Sequence, residues 1–465
     1  MWVLNIKRDS ATGEILKYKA RLVALGSQQD PSSYDKISSN TARSSSVKLL
    51  IAIQAKTAAY SMVLDVKGAY LKSKIMEHKK ELLFVRLQDG KLVKLKKYLY
   101  GLKQAGAEWQ ANITSTLLSH GYQPTEDPLV FSKWIDNDFI IMSLHVDDFY
   151  VISSQQSMLE DLYAVLVSEY NDVTRKSGDL LTYLGMAIAK NSDGSIIISQ
   201  PQYIEKMLAI LQMEDYKGSS TPMVIDQSHN DAYTEPVDKT EYLRGVGLLN
   251  YLASYTRPDL LYHLSRVAQA CANPTEADWR RLTRIFRNVI ATKNQGITFN
   301  RDRDFQLKCY VDASYNCYDD GKSHYGYSIS IGDGNGAFYA KSAKIKLKLS
   351  TTALSSFEAE YVGLCEASRD VVYLRRLLND IGFFQDGPTV IYEDNQSCIA
   401  RVIGELNHKT TKHINPKFHY VKDVVKLEEV ILVYCDTHDM VADLLTKPLP
   451  YESHVRLASF ILNDL

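Results

Sequence analysis

Short apolar runs broken by acidic residues form the clearest pattern in the first part of the chain. Residues 63–71 form one such run, which contains Asp65 and a glycine. Residues 139–146 and 149–152 form two more, separated only by Asp147 and Asp148, and this spacing predicts a β-hairpin. Asp is depleted from strands but suits turns. The two aspartates therefore either form a tight turn or also present carboxylates for chemistry.

Amphipathic patterns predict helices on both sides of this hairpin. Residues 108–120 are predicted to be helical, with Trp109, Ile113 and Leu117 on one face and Gly121 as the stop. Towards the N-terminus, residues 2–6 and 18–25 are predicted to be strands around a turn at 9–13.

The middle of the chain has a weaker pattern. Residues 159–240 are predicted to mix helix and loop, with an amphipathic segment at 204–211 and a polar, acidic linker at 226–239. A further helix is predicted from Thr275 to a stop at Gly296, with arginines outward. Its predicted inward positions are Trp279, Leu282, Phe286 and Val289.

From residue 305 onward the pattern predicts an independent α/β domain: strand, hairpin (325–331 and 337–340), long helix, strand and helix. Asp312 lies in its first strand. Glu360 falls inside the apolar stripe of the helix near 357–381, whereas Glu358 lies outside it and fits a capping box with Ser355. Buried carboxylates are rare unless they are paired or bound to metal, so Glu360 remains unexplained by packing.

Two more acidic residues interrupt apolar segments in this domain. Asp394 ends a predicted strand and serves either as a helix N-cap or as a ligand. Asp443 lies in a short apolar helix that Pro448 stops. Carboxylates from neighbouring strand ends can hold a pair of divalent cations, and such a pair promotes in-line phosphoryl transfer.

Composition is that of an ordinary globular protein with room for about three or four domains. The chain has 465 residues, 45% of them hydrophobic and 23% charged. No apolar run approaches the roughly 18 residues of a membrane span, and no signal-peptide pattern is present. The 6 cysteines lack zinc or CxxC spacing and are predicted to be reduced, mostly buried thiols in a cytosolic compartment.

A net charge of −1 is unusual for a nucleic-acid binder, which normally carries a basic excess. Basic residues are instead clustered locally, so each cluster is either a solvated face or a phosphate-binding stripe. The clusters are Lys91, Lys94, Lys96 and Lys97; Lys341, Lys344, Lys346 and Lys348; and Arg280, Arg284 and Arg287.

Ordered motifs resemble the reverse transcriptase of copia-type retrotransposons. Residues 64–71 (LDVKGAYL) resemble the first catalytic motif of reverse transcriptases, and residues 145–148 (HVDD) resemble the YVDD box. Four further segments occur in the same order as in copia-type elements, so the resemblance covers essentially the whole chain. They are YKARLVA at 18–24, LYGLKQ at 99–104, TPM at 221–223 and TRPD at 256–259.

The C-terminal acids lie in segments that resemble the copia-type ribonuclease H. These segments are ALSSFEAEY at 353–361, DNQS at 394–397 and ADLLTKPL at 442–449. The resemblance implies that Asp312, Glu360, Asp394 and Asp443 form the four-carboxylate metal site of that enzyme. His438 is too close to Asp443 for the loop histidine of some relatives and is interpreted as a loop residue. Lys412 and His413 match family sequence without an evident role.

The resemblance also implies roles for residues of the polymerase site. Asp65 and Asp147 would be the main metal ligands, with Asp148 assisting. Tyr70 would exclude a nucleotide 2′-hydroxyl, with a plain core aromatic left open as the alternative. Gln104 would contact the incoming nucleotide. Lys19 or Arg21 would contact its triphosphate, with Lys19 as a plain surface lysine left open.

Two departures from the family pattern stand out. His145 replaces the usual tyrosine of the box, which could change primer-terminus contacts without removing metal binding. Residues 105–108 (AGAE) replace more basic residues before Trp109, which puts local template contacts in doubt.

The implied fold is an α+β right-hand polymerase with fingers, a ferredoxin-like palm and a thumb, followed by a connection and an α/β ribonuclease H-like domain. The expected limits are 1–158 for the palm and fingers, 159–240 for the thumb, 241–304 for the connection, 305–450 for ribonuclease H and 451–465 for a C-terminal tail. The fingers are expected to be N-terminally truncated, which would weaken polymerisation more than hybrid cleavage.

The implied function is an RNA-directed DNA polymerase with ribonuclease H activity, using two Mg²⁺ or Mn²⁺ ions per site. Its expected partners are an RNA template, a tRNA-like or self-made primer, dNTPs and RNA/DNA hybrid, with integrase and Gag of the same element left open. It would act in the cytoplasm within virus-like particles, with a nuclear phase left open, and without a membrane. The alternative is a decayed or co-opted fragment that only binds RNA or hybrid. Since all the expected acidic positions are filled, the enzyme is favoured.

Overall fold

In the computed structural model, the chain divides into an N-terminal unit and a C-terminal unit. The structure describes residues 1–8, 15–34, 37–75, 83–87, 89–225, 234–302, 304–346, 355–404 and 415–463. The N-terminal unit comprises Met1–Val47 and Ala59–Gly178, and the C-terminal unit comprises Lys48–Ala58 and Asp179–Leu465. The turn predicted at 9–13 lies outside the described residues, as do Lys348, Lys412, His413 and most of the linker predicted at 226–239.

The N-terminal unit contains ten strands and three helices among its described residues. The strands are β1 (Trp2–Arg8), β2 (Ile15–Leu22), β3 (Tyr60–Val66), β4 (Phe84–Arg86), β5 (Leu92–Lys94), β6 (Gln123–Pro124), β7 (Val130–Ile135), β8 (Asp138–His145), β9 (Asp148–Ser153) and β10 (Val173–Ser177). The helices are α1 (Ser44–Thr57), which continues into the C-terminal unit, α2 (Ala105–Ser119) and α3 (Gln156–Tyr170). The predicted N-terminal strands and the β8–β9 hairpin are confirmed.

A six-stranded antiparallel sheet with the order β10-β3-β9-β8-β7-β6 forms the centre of this unit. Along the chain, β3, α2, β8, β9, α3 and β10 make a β-α-β-β-α-β arrangement, into which the short strands β6 and β7 are inserted. This arrangement is ferredoxin-like and confirms the predicted palm. Helix α2 buries Trp109, Ile113 and Leu117, the three predicted positions.

The C-terminal unit contains nine strands and eight further helices among its described residues. The strands are β11 (Leu180–Tyr183), β12 (Met186–Lys190), β13 (Ile196–Ser199), β14 (Ile297–Phe299), β15 (Leu307–Ser314), β16 (His324–Ile331), β17 (Tyr339–Lys344), β18 (Thr389–Glu393) and β19 (Val430–Tyr434). The helices are α4 (Pro201–Leu211), α5 (Lys239–Tyr255), α6 (Leu261–Val267), α7 (Glu276–Ala291), α8 (Ser356–Asp380), α9 (Gln396–Ile403), α10 (Asn415–Lys426) and α11 (Tyr451–Leu462).

The segment expected to mix helix and loop is richer in strands than predicted. Strand β10 completes the palm sheet, and β11, β12 and β13 form a four-stranded sheet with the distant β14. These strands are only four or five residues long, so their alternating burial was too brief to recognise in the sequence. Helix α4, which was predicted, follows them and packs with α5 and α7 around a core that includes Tyr242 and Phe286.

The stop predicted at Gly296 is wrong. Helix α7 starts at its predicted cap, Thr275, but ends at Ala291 with Thr292 as its C-cap. Gly296 instead precedes β14, where an added Cβ would collide with the carbonyl oxygen of Ile198. Glycine is therefore needed there because β14 must approach β13 closely, and not because a helix ends.

A mixed five-stranded sheet with the order β17-β16-β15-β18-β19 follows, with β15, β18 and β19 parallel and the other pairs antiparallel. Helix α8 packs across β15 and β16, and α10 packs on α8. This confirms the predicted α/β ribonuclease H-like domain and its hairpin. The segment expected to be a tail is a packed helix, because α11 buries Leu457 and Ile461, and the Ile461 carbonyl accepts a 2.7 Å hydrogen bond from the Ala337 amide.

The cysteines are all free, and Cys309, Cys365, Cys398 and Cys435 are buried, as predicted for thiols that do not form disulfides. Within the described residues, no helix is long and apolar enough to cross a membrane.

Candidate active sites

The first acidic site lies where β3 meets the β8–β9 hairpin. Asp65, near the end of β3, is the direct cross-strand partner of Asp148, the first residue of β9. Asp147 precedes Asp148 in the hairpin turn, and its carbonyl accepts a 3.0 Å hydrogen bond from the amide of Val66. The antiparallel register therefore brings the three predicted carboxylates to one end of the sheet.

The turn that presents Asp147 is held by α2. Val146 has a φ of 61°, a left-handed conformation that is costly for a β-branched residue. The indole N–H of Trp109 donates a 2.6 Å hydrogen bond to the Val146 carbonyl. Trp109 is itself buried and packs edge-on against Tyr170 at 5.2 Å. The core thus fixes the turn in a conformation that the turn residues alone do not favour.

Negative charge accumulates at this end of the sheet. Burial raises the pKa of Asp148 to about 6, with further contributions from Asp147 and Asp65. Burial and Asp65 also raise the pKa of Asp147, whereas Lys19 and Arg21 lower it. Both predicted basic residues therefore lie close enough to act on the acidic site. Carboxylates that repel one another at a partly buried position are suited to divalent cations.

Two tyrosines line the same site. The centres of the Tyr70 and Tyr100 rings are 4.9 Å apart, and the Arg21 guanidinium lies 5.5 Å from the centre of the Tyr100 ring. Burial raises the pKa of both phenols, and the negative charge of Asp147 raises it further. Tyr70 follows Gly68, which has a φ of 69°, and also packs on a small core that includes Tyr98. Both interpretations of Tyr70 remain compatible with this position. Tyr100 was missed, although it lies within the LYGLKQ motif.

Gln104 and His145 have less open surroundings. Gln104 is only 2% exposed, and its side-chain carbonyl accepts a 2.8 Å hydrogen bond from the amide group of Gln29. Its predicted contact with a nucleotide stays a prediction. Burial lowers the pKa of His145, and its Nδ1 is buried without a hydrogen-bond partner in the described structure.

The second acidic site joins three elements of the five-stranded sheet region. Asp312 comes from β15, Glu360 from α8, and Asp394 follows the end of β18. Each offers a carboxylate oxygen, and these oxygens lie within 4.8 Å of one another, the one such group of three found in the described part of the chain. The structure therefore brings these three predicted acids together, at a spacing that a bridging cation requires.

Glu360 is buried on α8 whereas Glu358 is only half-buried, in the order that the helix period predicts. Phe357, Tyr361 and Glu360 lie on the buried face of α8, and Glu360 is 5% exposed. The backbone N–H of Glu358 donates to the Ser355 side chain, so the Ser355 half of the predicted capping box is present. For Asp394 the N-cap interpretation is wrong, because the Asn395 side chain caps α9 by accepting from the Cys398 amide at 3.0 Å.

Asp443 joins the site from a short 3-10 helix, Val441–Leu445. Its carboxylate forms a 2.7 Å ion pair with Lys447, and burial followed by Asp312 raises its pKa to about 7. The hydroxyl of Thr446 donates to Asp312. Thr446 and Lys447 therefore hold two acids of the site in place. His438, interpreted as a loop residue, is exposed beside Asp439 and lies in a single 3-10 turn, Thr437–Asp439.

Glu393 is a fifth carboxylate of this site that sequence reasoning missed. It is 0% exposed, and one oxygen accepts a 3.2 Å hydrogen bond from the Asn395 amide while the other has no partner in the described structure. Burial, and then the charge of Glu393, raise the pKa of Glu360 well above its ordinary value. The sequence did carry a signal for Glu393, because side chains two residues apart along a strand face the same side. Glu393 therefore shares the inward-facing side of β18 with Ile391.

The residues present fit divalent cations. Glu360 and Glu393 each keep one buried oxygen without a hydrogen-bond partner in the described structure. Asp394 is held by a 3.0 Å hydrogen bond from the Thr437 hydroxyl, and burial and Asp312 raise its pKa. Clustered carboxylates with free lone pairs are the ligand set that hard cations prefer.

Comparisons with known proteins show which proteins this chain is similar to. A family described as reverse transcriptase (RNA-dependent DNA polymerase) matches residues 1–225. The chain is 30% identical to a retrovirus-related Pol polyprotein from transposon TNT 1-94 of Nicotiana tabacum, over 97% of this chain and 34% of that relative. It is 29% identical to the transposon RE1 Pol polyprotein of Arabidopsis thaliana, over 99% and 31% respectively. The chain thus spans about a third of the length of these curated relatives.

Solved structures show the same fold. A foamy viral protease-reverse transcriptase in complex with double-stranded DNA has a TM-score of 0.54 at 12% identity, over 93% of this chain and 64% of that chain. A second structure of that protein with double-stranded DNA has a TM-score of 0.52 at 12% identity, over 94% and 79%. The sequence matches extend over nearly the whole chain, and together with the ordered motifs they make it similar to the copia-type retrotransposon Pol proteins.

Proposed function

We propose that this chain is an RNA-directed DNA polymerase with ribonuclease H activity, which copies element RNA into DNA and degrades the RNA of the resulting hybrid. The observation that carries the proposal is the presence of two separate carboxylate clusters. One lies at the palm sheet and one at the mixed sheet, and burial raises pKa values in both. Two phosphoryl-transfer sites are what copying RNA and then removing it require.

In the polymerase site, Asp65 and Asp147 are proposed as the main metal ligands and Asp148 as the assisting one. The cations are proposed to be Mg²⁺ or Mn²⁺, two per site. When bound, they activate the attacking oxygen and stabilise the leaving oxygen of an in-line displacement. Lys19 or Arg21 would bind the triphosphate, which is consistent with their effect on the pKa of Asp147. Gln104 would contact the nucleotide after releasing Gln29.

In the ribonuclease H site, Asp312, Glu360, Asp394 and Asp443 are proposed as the metal ligands. Thr446 orients Asp312, and Lys447 offsets part of the negative charge beside Asp443. The proposed domain limits are those expected from the sequence, although α3 and β10 pack with the palm sheet, and residues up to Gly178 fall in the N-terminal unit.

The proposed substrates are an RNA template, a tRNA-like or self-made primer, dNTPs and RNA/DNA hybrid. The foamy viral relatives of known structure were solved with double-stranded DNA, which supports nucleic acid as the ligand class. Gag and integrase of the same element, and cytoplasmic virus-like particles, are proposed as the surroundings because the relatives are transposon Pol polyproteins.

Single substitutions in the two sites test this proposal. Asp147→Asn should slow primer extension on an RNA template by at least about 10³-fold, equivalent to roughly 4 kcal/mol of barrier, and leave hybrid cleavage in place. Asp394→Asn should do the reverse. Both reactions are measured with Mg²⁺ or Mn²⁺ on the full chain. Equal loss of both activities in either variant would contradict two independent sites.

The same assays separate the alternative function. A decayed or co-opted protein would bind RNA or hybrid and turn over neither substrate. The filled acidic positions, which the fold brings together in both sheets, favour the enzyme.

Tyr70 is proposed as the residue that excludes ribonucleotides. Tyr70→Ala should open space beside the sugar C2′ and raise ribonucleotide incorporation relative to deoxyribonucleotide incorporation. Tyr98→Phe, in the small core on which Tyr70 packs, is the matched control and should leave sugar selectivity unchanged. Unchanged selectivity in Tyr70→Ala would return this residue to the core-aromatic interpretation.

A further inference from the structure

Three consecutive hydrogen bonds run through the interior of the C-terminal unit towards Asp443. The Tyr318 hydroxyl lies 2.6 Å from Nδ1 of His324, and Nε2 of His324 lies 2.7 Å from the Ser342 hydroxyl. The Ser342 hydroxyl lies 2.7 Å from the carbonyl oxygen of Leu445. His324 is 0% exposed. These residues come from β16, β17 and the loop before β16, and none of them is an acid of the metal site.

The chemistry of the groups determines the direction of each bond. A carbonyl only accepts, so the Ser342 hydroxyl must donate its one proton to Leu445. The Ser342 oxygen then accepts from Nε2–H of His324. A neutral imidazole with its proton on Nε2 has an acceptor at Nδ1, so the Tyr318 hydroxyl donates to it. His324 and Ser342 therefore each donate one hydrogen bond and accept one. This series of bonds admits only the His324 tautomer with its proton on Nε2.

The surroundings keep His324 neutral. Burial, together with the nearby Arg266 and Lys344 charges, lowers the pKa of His324 to about 3. The same two cations lie over the Tyr318 ring, at 4.3 Å for Arg266 and 4.2 Å for Lys344. These two cation–ring contacts therefore hold the Tyr318 end of the hydrogen-bond series in place.

At its other end, the series of hydrogen bonds reaches the Leu445 carbonyl, and the position of Leu445 affects the acidic site. Leu445 is the last residue of the 3-10 helix that carries Asp443, and Thr446, which donates to Asp312, comes next. This helix lies directly on β16, because a Cβ added at Gly326 would come within 2.5 Å of the Leu445 Cβ. Gly326 is also the cross-strand partner of Asp312. A small shift of Leu445 would thus move Asp443 and Thr446 relative to Asp312.

We propose that the relay from Tyr318 through His324 and Ser342 to Leu445 fixes the 3-10 helix over Asp312, which makes His324 and Ser342 positioning residues for the ribonuclease H site. The proposal rests on the proposed function of that site. Partners that orient metal ligands from behind typically change metal affinity or activity by about 10–100-fold when they are removed.

Ser342→Ala tests the relay with the smallest change of shape. In the full chain, we expect this variant to lower kcat for hybrid cleavage by about tenfold with an unchanged KM. In an Asp147→Asn background, which weakens the polymerase site, calorimetry should show Mn²⁺ binding to the second site weakened by a similar factor. Ser342→Thr keeps the hydroxyl and should restore both quantities.

The matched control is Ser368→Ala. The Ser368 hydroxyl is buried in the same unit and donates to a backbone carbonyl, that of Leu364, at 2.8 Å. Within the described residues, this hydroxyl makes no hydrogen bond to an acid of the site, so Ser368→Ala should change neither kcat nor Mn²⁺ binding. Equal behaviour of Ser342→Ala and Ser368→Ala in both measurements would overturn the proposal.

A second pair of variants covers the case in which Ser342→Ala fails to fold. Gly326→Ala should displace the 3-10 helix and weaken Mn²⁺ binding, whereas Gly247→Ala, where an added Cβ meets nothing within 4 Å, should not. Unchanged Mn²⁺ binding in Gly326→Ala would also overturn the proposal. A parent chain that cleaves no hybrid, yet binds Mn²⁺ in a Ser342-dependent manner, would contradict the proposed function and leave this inference standing.

Discussion

At the scale of single residues, Glu358 and Glu360 show how two positions on one helix separate a surface acid from a site acid. Both lie in the first turns of α8, but only Glu360 is on the buried face beside Asp312 and Asp394. Its second oxygen has no hydrogen-bond partner in the described structure. A buried carboxylate in this state destabilises the metal-free fold and becomes favourable when a cation binds.

Replacing each glutamate by glutamine tests this difference. Glu360→Gln should lower hybrid cleavage by at least about 10³-fold and should raise the melting temperature in EDTA, because it removes a repelled carboxylate. Glu358→Gln is the matched control, since the backbone N–H that the cap uses remains, and it should change both quantities little. An essential Glu358 beside a dispensable Glu360 would show that the site is assigned to the wrong face of α8.

At the scale of elements, the β8–β9 turn depends on α2 for its conformation. A β-branched residue in the left-handed region costs about 1–3 kcal/mol, and Val146 is held there while Trp109 donates to its carbonyl. The helix and the hairpin are about forty residues apart in sequence, as measured from Trp109 to Val146. The position of Asp147 therefore depends on helix packing as well as on the hairpin.

Trp109→Phe should weaken this support while keeping most of the apolar volume. We expect primer extension to fall about tenfold, because losing one buried hydrogen bond costs about 1–3 kcal/mol. Hybrid cleavage should not change. Trp134→Phe is the control, because Trp134 in β7 pairs with Phe139 at the opposite end of β8 from the turn, and this variant should extend primers normally. Similar losses in the two variants would indicate a general effect of removing an indole.

At the scale of the whole molecule, the acidic sites should make stability depend on pH and on divalent metal. The pKa of Asp443 is about 7 and that of Asp148 about 6, both above ordinary values because of burial and neighbouring acids. A carboxyl whose pKa is higher in the folded chain binds its proton there first. Its contribution to stability is thus full below about pH 4 and is lost as the pH rises through about 6 to 7.

We therefore expect the acidic sites to make the metal-free protein less stable at pH 8 than at pH 5, by on the order of a few kcal/mol. Mg²⁺ or Mn²⁺ added at pH 8 should recover this loss, because a ligand that binds only the folded chain stabilises it. Thermal unfolding in EDTA and in metal measures both effects. Glu393→Gln should reduce the pH dependence, and an unchanged dependence in that variant would contradict the role given to Glu393.

Local patterns by themselves determined many of the elements and most of the site acids. Two apolar runs separated by a pair of aspartates predicted the β8–β9 hairpin, the 3.6-residue period placed Glu360 inside the stripe of α8, and the ordered motifs identified other site acids. These features depend on neighbours a few residues apart, and their physical cause is local backbone geometry and the burial of one face. The palm and the ribonuclease H-like fold followed from the resemblance, and the structure confirms both.

Only the tertiary structure decided which distant groups meet. The pairing of β13 with β14 and the bond from Ser342 to Leu445 across 103 residues have no local signature. Close packing imposes them, because buried polar groups must find partners wherever the chain brings them. The sequence therefore predicted the chemistry of most of the site acids, whereas the arrangement that holds them in place arises from contacts between segments far apart in the chain.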